Sequence, residues 1–297
     1  MSAAKPSGPL GDKPFLTAVT VHLKPFRLVL PDAASEWTCS VADVNRRTYD
    51  GKRLQQVSGF LPRGFAPEIG AAVCVDGTLA VPLFAHLKDT SGFTSGFNRL
   101  LGRLLLGGVY CEAVDSYDIG QAAILRHEYV WMRRPGRSGA SKMHYALRTK
   151  FAGAHDGIEL HRPKTVLFEE LGRAVNRGNR ILSGVPTLAP DFLLRGVSAM
   201  TRHDWGRALV EIWMLVEQVV DRLWADEVVK GGPQPGVTIP GRSKMLKDFR
   251  TWTAAVRLEL LFRLGTIRDV ELLALSMGRK ARNNLVHSGK MPASTVV

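Results

Sequence analysis

The sequence predicts an α+β fold with its two kinds of element segregated: a β-rich N-terminal domain followed by an all-α helical bundle. Three observations predict it. Runs that alternate apolar and polar residues crowd the stretch between Phe15 and about Lys150, the period expected of strands. Beyond about Leu160 the apolar residues instead recur every three or four positions, the mark of helices with one buried face. The chain has 297 residues, more than one domain usually holds, so two cores are expected. The resulting division is a leader over 1–14, a β-rich domain over 15–165, a helical linker over 166–187 and a helical domain over 188–297.

In the first half, "FLTAVTVHLKPFRLVL" alternates on both sides of Pro25, which predicts strand with a break. Further strands are predicted in "LQQVSGFLP", in "AAVCVDGTLAVPLFAHL" around the Asp76-Gly77 turn, in "AILRHEYVWMRR", and after Pro135-Gly136 in "KMHYALRTKFAG". One helix interrupts them over Ser95 to Tyr110. Phe97, Leu100, Leu101, Leu104 and Leu105 share a face there, and Gly107-Gly108 stops the turn.

In the second half, "KTVLFEELGRAVNRGNRIL" predicts a helix and "GVPTLAPDF" a turn. A long helix follows with Asp204 as its cap and a stripe of Trp205, Leu209, Ile212, Val216, Val219 and Leu223. Lys230 to Lys244 is too rich in Gly and Pro for anything but a loop. "KMLKDFRTWTAAVRLELLFRL" predicts one further long helix. The last begins near Thr266 to Asp269 and ends at Gly289, with Leu275, Leu285 and Val286 expected to anchor it in the core.

Lys and Arg number 40 against 27 Asp and Glu, a formal charge of +13. An anionic partner is therefore expected, nucleic acid first, although a basic excess also serves solubility. Cys39, Cys74 and Cys111 stand singly, so neither a disulfide framework nor a structural zinc site is indicated, and a reducing cytoplasmic setting fits. The leader lacks the apolar centre of a signal peptide, and no run approaches the roughly 18 apolar residues of a membrane span.

"RHEYV" at Arg126 lacks the second histidine of a metalloprotease helix, since Trp131 stands in its place. His22, His86, His127, His144, His155, His161 and His203 show no mutual spacing and read as isolated strand or loop residues. No metal or other cofactor is expected. No glycine pattern matches a phosphate loop. The basic stretch Arg133 to Lys142 reads as an exposed hairpin connection, with contact to a phosphate backbone as the other reading.

The chemistry concentrates in "GRKARNNLVHSGK", Gly278 to Lys290. On a helix turning about 100° per residue, Asn283 and His287 share a face, while Arg282 lies about 140° from His287 with an arm long enough to curl back. Arginine offers a permanent planar cation suited to phosphate, and histidine can take or give a proton. Together they fit RNA cleavage in which a base deprotonates the 2′-OH and a cation stabilises the phosphorane. Asn283 is placed to orient either group, and Arg279, Lys280 and Lys290 are flanking cations for RNA. The bland alternative is a helix end whose cations meet the negative end of the dipole. It accounts for Arg279 and Lys280 equally well, and less well for Asn283, since a mid-helix asparagine brings a small propensity cost and no dipole benefit.

"RNNLVH", Arg282 to His287, following a run of helices, resembles the arginine, polar residue, then histidine signature of HEPN domains, over roughly Leu188 to Gly289. The resemblance implies a HEPN-like bundle acting as a homodimer, with the arginine and histidine of both subunits meeting at the interface in a metal-independent endoribonuclease. It further implies a role as a toxin or antiviral (abortive-infection) effector, Glu217 on the first long helix as a supporting residue, and the β-rich half as a sensor or a docking point for an antitoxin or trigger. The chain departs from one subgroup, in which a tyrosine two residues after the histidine is the site of silencing; here Gly289 stands there. A non-catalytic RNA-binding or protein-interaction module with the same dimerisation domain is the alternative.

Overall fold

A computed structural model describes residues 15–32, 51–66, 69–83, 90–149, 164–232 and 235–290. The leader, Cys39, His86, His155 and His161 lie outside them. The chain divides into two compact units, up to Asn179 and from Arg180 onward.

The first unit is built on a six-stranded antiparallel sheet in the order β3-β4-β5-β1-β6-β7. Its strands are β1 (Phe15–His22), β3 (Val57–Ala66), β4 (Ile69–Cys74), β5 (Thr78–Pro82), β6 (Gly120–Leu125) and β7 (Tyr129–Arg134). β4 and β5 are buried at every position, as strands covered on both faces must be. β7 alternates exposed and buried residues at the sheet edge. Two hairpins follow the turn chemistry: Gly77 (φ 76°) joins β4 to β5, and Arg126 and His127, both at positive φ, join β6 to β7. The break at Pro25 separates β1 from β2 (Leu28–Leu30), which pairs in parallel with β8 (Thr165–Leu167).

Among the described residues, four α-helices belong wholly or partly to this unit: α1 (Gly51–Gln55), α2 (Thr90–Leu106), α3 (Gly139–Thr149) and α4 (Phe168–Gly184), which runs across the division. α2 is the helix expected before Gly107-Gly108, begun earlier, at Thr90, with Phe97, Leu100, Leu101 and Leu104 fully buried. It crosses α4 closely. A Cβ at Gly178 would lie 2.3 Å from the Arg103 carbonyl, and one at Gly107 2.0 Å from that of Ala174, so only glycine fits at either place.

α3 corrects the strand expected in "KMHYALRTKFAG". Met143, Tyr145 and Leu147 imitate alternation, yet burial falls on Ser141, His144, Leu147 and Arg148, which is helical spacing. Ser138 caps the helix by accepting from the Ser141 amide. The supposed hairpin connection Arg133 to Lys142 is therefore the end of β7, a turn and the start of α3.

The second unit is helical: α5 (Pro190–Thr201), α6 (Trp205–Trp224), a π turn (Ala225–Lys230), α7 (Arg242–Lys247), α8 (Ala254–Arg263) and α9 (Asp269–Ser288). The turn expected in "GVPTLAPDF" is formed at Val185 to Ala189, where the Leu188 amide donates to the Val185 carbonyl, and α5 starts directly after it with Pro190 in a first-turn position where no amide is needed. It packs antiparallel on α6, with Gly196 against Ile212 and Arg195 paired to Glu211 at 3.1 Å. Because α6 is gripped from two sides, its buried residues are Ala208, Trp213, Leu215, Val220 and Trp224 rather than the expected single stripe; Trp205 and Val219 are exposed.

The expected helix from Lys244 is two helices. The Asp248 carboxylate draws in the Arg250 and Thr251 amides and the Thr251 hydroxyl, ending α7 in a turn before α8 starts. The core of this unit is Trp213, Val220, Leu258, Leu261 and Ile267, with Leu272 and Leu275 of α9 packed against it.

Candidate functional site

α9 carries the motif and ends as expected at Gly289 (φ 66°). It is not the buried helix that its apolar residues suggest. Ala281 is its only buried residue, and Val270 (69% exposed), Leu273 (63%), Met277 and Val286 lie in solvent. Leu275 reaches the core as expected, Leu285 is half-buried, and Val286 anchors nothing.

The exposed residues follow a rule. Val270, Leu273, Met277, Lys280, Asn284 and His287 are all exposed and step by three and four alternately, the a/d spacing of a coiled-coil seam. One face of α9 thus runs apolar at its start and polar at its end, and His287 is its last member.

Arg282 and Asn283 are half-buried beside this seam, joined by a hydrogen bond from the guanidinium Nη1 to Asn283 Oδ1 at 3.1 Å. Among the described residues no hydrogen bond links His287 to either of them. The single chain therefore brings two of the three motif residues together and leaves the imidazole in solvent. Lys280 and Lys290 are exposed. Arg279 is half-buried beside Gly278, which lies against the Trp213 ring.

Glu217 is placed elsewhere. Its carboxylate accepts from the Trp213 indole at 2.6 Å and lines a cleft of about 330 Å³ with Asp221, Trp252 and Arg257, to which no α9 residue contributes. Asn284, by contrast, stands one turn before His287 on the exposed face, outside the expected set of site residues. The signal was its three-residue spacing from His287.

The first unit holds a second polar constellation, and here the reading of isolated histidines fails. His22 of β1 and His144 of α3 stack in the core with ring centroids 3.8 Å apart and planes 14° from parallel. Beside them Asp76, in the β4–β5 turn, accepts two hydrogen bonds from Arg148, at 2.6 Å from Nε and 2.8 Å from Nη2. Arg148 also donates to the Thr78 hydroxyl (2.6 Å) and the Val130 carbonyl (2.8 Å). The Thr78 hydroxyl, which accepts from Arg148, also shares a hydrogen bond with His22 Nδ1, 2.9 Å away. Burial alone would raise the Asp76 carboxyl, but Arg148 reverses this and holds it well below the usual carboxylate range.

His22, Asp76 and His144 offer ligand atoms within 4.8 Å of one another. They are poorly arranged for an ion. Nitrogen lone pairs in two nearly parallel rings cannot converge at the roughly 2.0–2.1 Å that zinc requires, and both Asp76 oxygens are already engaged by Arg148. The cluster is a clamp tying β1, the β4–β5 turn, β7 and α3 together. Cys74 next to it and Cys111 are buried thiols pushed up to about 12 by desolvation, so neither is a nucleophile at neutral pH.

The clamp gives a pH dependence. Burial, and then the neighbouring His144, lower the His22 pKa well below its ordinary value near 6.5. The unfolded chain then binds a proton that the folded one refuses, so this stability is fully present above about pH 6.5 and is lost as pH falls toward the folded value. Urea titrations at pH 7.5, 6.5 and 5.5 are expected to show the first unit losing up to about 1.4 kcal/mol per pH unit below 6.5. His22→Gln should flatten that slope.

Compared with known proteins, the chain matches no family model, no curated protein and no solved structure. Among the described residues no helix is long and apolar enough to cross a membrane.

Proposed function

We propose that the chain is a metal-independent endoribonuclease of HEPN type, working as a homodimer through its C-terminal helical domain. The observation that carries this reading is the exposed a/d seam of α9 that ends on His287, with Arg282 and Asn283 bonded beside it. Three apolar side chains in water on one helix face invite a second copy. Lys280 and Asn284 interrupt the seam at positions where polar residues fix register and partner number. Pairing along it would carry two His287 rings and two Arg282 arms to one interface, giving each imidazole the partners it lacks in a single chain.

The reaction then needs only these groups. His287 removes the proton of a ribose 2′-OH, whose oxygen attacks the adjacent phosphorus while Arg282 takes the developing charge. The 5′-oxygen leaves with a proton returned by an imidazole. The products are a 2′,3′-cyclic phosphate and a 5′-hydroxyl. Asn283 holds the Arg282 fork in place. Lys280 and Lys290 lie where the RNA backbone would pass, with Arg279 alongside. In this reading the β-sheet unit receives the trigger or antitoxin that governs a toxin or antiviral effector.

Leu273→Glu tests the composite site without touching a reacting group. Leu273 is 63% exposed, so the fold should survive. Sedimentation is expected to show a wild-type dimer and a variant monomer, with RNA cleavage in the variant reduced by about 100-fold or more. A monomeric wild type that cleaves RNA, or a fully active monomeric variant, would refute the shared site.

A further inference from the structure

We propose that the groove formed by residues 238–249 is a docking site for single-stranded RNA, separate from the motif on α9; that the strand is RNA rests on the nuclease reading above. The groove has a volume of about 1150 Å³ and is lined by Ile239, Lys244, Met245, Lys247, Asp248 and Phe249 among others. Phe249 is 71% exposed, and Ile239 and Met245 are each about half exposed. A large ring left in water gains the folded chain little from burial. It does offer a face on which any base can stack.

The charges around the ring favour the same occupant. Lys244 and Lys247 line the groove as cations. Its one acid, Asp248, is turned toward the Thr251 hydroxyl, at 2.6 Å, and the Arg250 and Thr251 amides, which hold its carboxyl below the ordinary range, so two lysines are set against one carboxylate tied to its own turn. Arg250 stands 6.0 Å from the Phe249 ring centre and adds a planar cation that stacks on bases as well. Cations interleaved with an exposed aromatic ring match a strand with bare bases and a phosphate backbone. A duplex hides its base faces, and a run of acidic residues carries no aromatic faces to stack on Phe249.

The platform is also held still. The Trp224 indole donates to the Leu246 carbonyl at 2.8 Å and the Trp252 indole to that of Met245 at 3.0 Å, fixing α7 from beneath. Behind Phe249 lies the cleft of Glu217, Asp221 and Arg257, whose acids would turn phosphates toward the lysine side and could accept from base edges. The strand is therefore oriented with its backbone over Lys244 and Lys247 and a base on Phe249.

Fluorescence anisotropy with a labelled 12-nucleotide 2′-O-methyl RNA tests this on the full chain, because methylation blocks 2′-OH attack and separates binding from cleavage. Phe249→Ala is expected to weaken binding about tenfold with little change in salt dependence. Lys244→Gln/Lys247→Gln is expected to reduce the slope of log K against log salt by about 1.4, two contacts at about 0.7 each. Both variants binding like wild type would overturn the site. So would displacement by a poly-glutamate peptide as effective as by the unlabelled RNA, which would make the groove a protein-docking surface. Loss of the nuclease reading would appear instead as intact unmodified RNA, with these binding results unchanged.

Discussion

Arg148→Met is expected to destabilise the first unit by about 3–5 kcal/mol, the cost of leaving a buried carboxylate without its cation. Asp76 has no exposure to fall back on, and Arg148 supplies two of its hydrogen bonds as well as its counter-charge. The same guanidinium reaches Thr78 and Val130, so its loss frees acceptors on β5 and β7 together. Calorimetry should show a drop of about 10 °C in the melting of this unit. Asp76→Asn in the same chain should return part of the loss, because the orphaned charge goes with it. A single variant within about 0.5 kcal/mol of wild type would mean that the clamp is not what closes this end of the sheet.

Arg282→Ala and His287→Ala are each expected to lower RNA cleavage by about 100-fold to 10,000-fold, with folding intact. The range follows from removing a positioned proton acceptor in one case and a charge-stabilising donor in the other. If the two act in one step, the double variant should be little worse than the poorer single one. Arg282→Lys keeps the charge and loses the planar fork that bonds Asn283, so it should fall between wild type and alanine. Equal activity in the lysine and alanine variants would place the role of Arg282 in its shape alone, and wild-type activity in both alanine variants would remove the motif from catalysis.

β1, β4, β5 and β6 were legible because short runs rich in apolar residues, bounded by turn signals such as Asp76-Gly77, mark strands whether or not they alternate. The helix start at Asp204 and the stop at Gly289 were legible for a similar reason: a cap is chemistry confined to one turn. α3 was not, since its buried side is polar: Ser141, His144 and Arg148 face the core, and a search for apolar periodicity passes over them. The clamp was invisible for a related reason. His22, Asp76 and His144 come from three elements, and no spacing along the chain encodes a meeting that only the fold produces. On α9 the motif itself could be read, and so could Leu275 as an anchor, but Val286 lies in solvent instead of the core. Val270, Leu273 and Met277 form an open seam that apolar spacing alone does not distinguish from a buried face.

The most direct measurement is cleavage of total cellular RNA and of tRNA by the purified protein in EDTA, beside Arg282→Ala and His287→Ala, with the product ends analysed. Cleavage by wild type alone, leaving 2′,3′-cyclic phosphates and 5′-hydroxyls, is the predicted result. RNA left intact by a folded, dimeric wild type, or cleaved equally by all three proteins, would contradict the assignment of catalysis to Arg282 and His287.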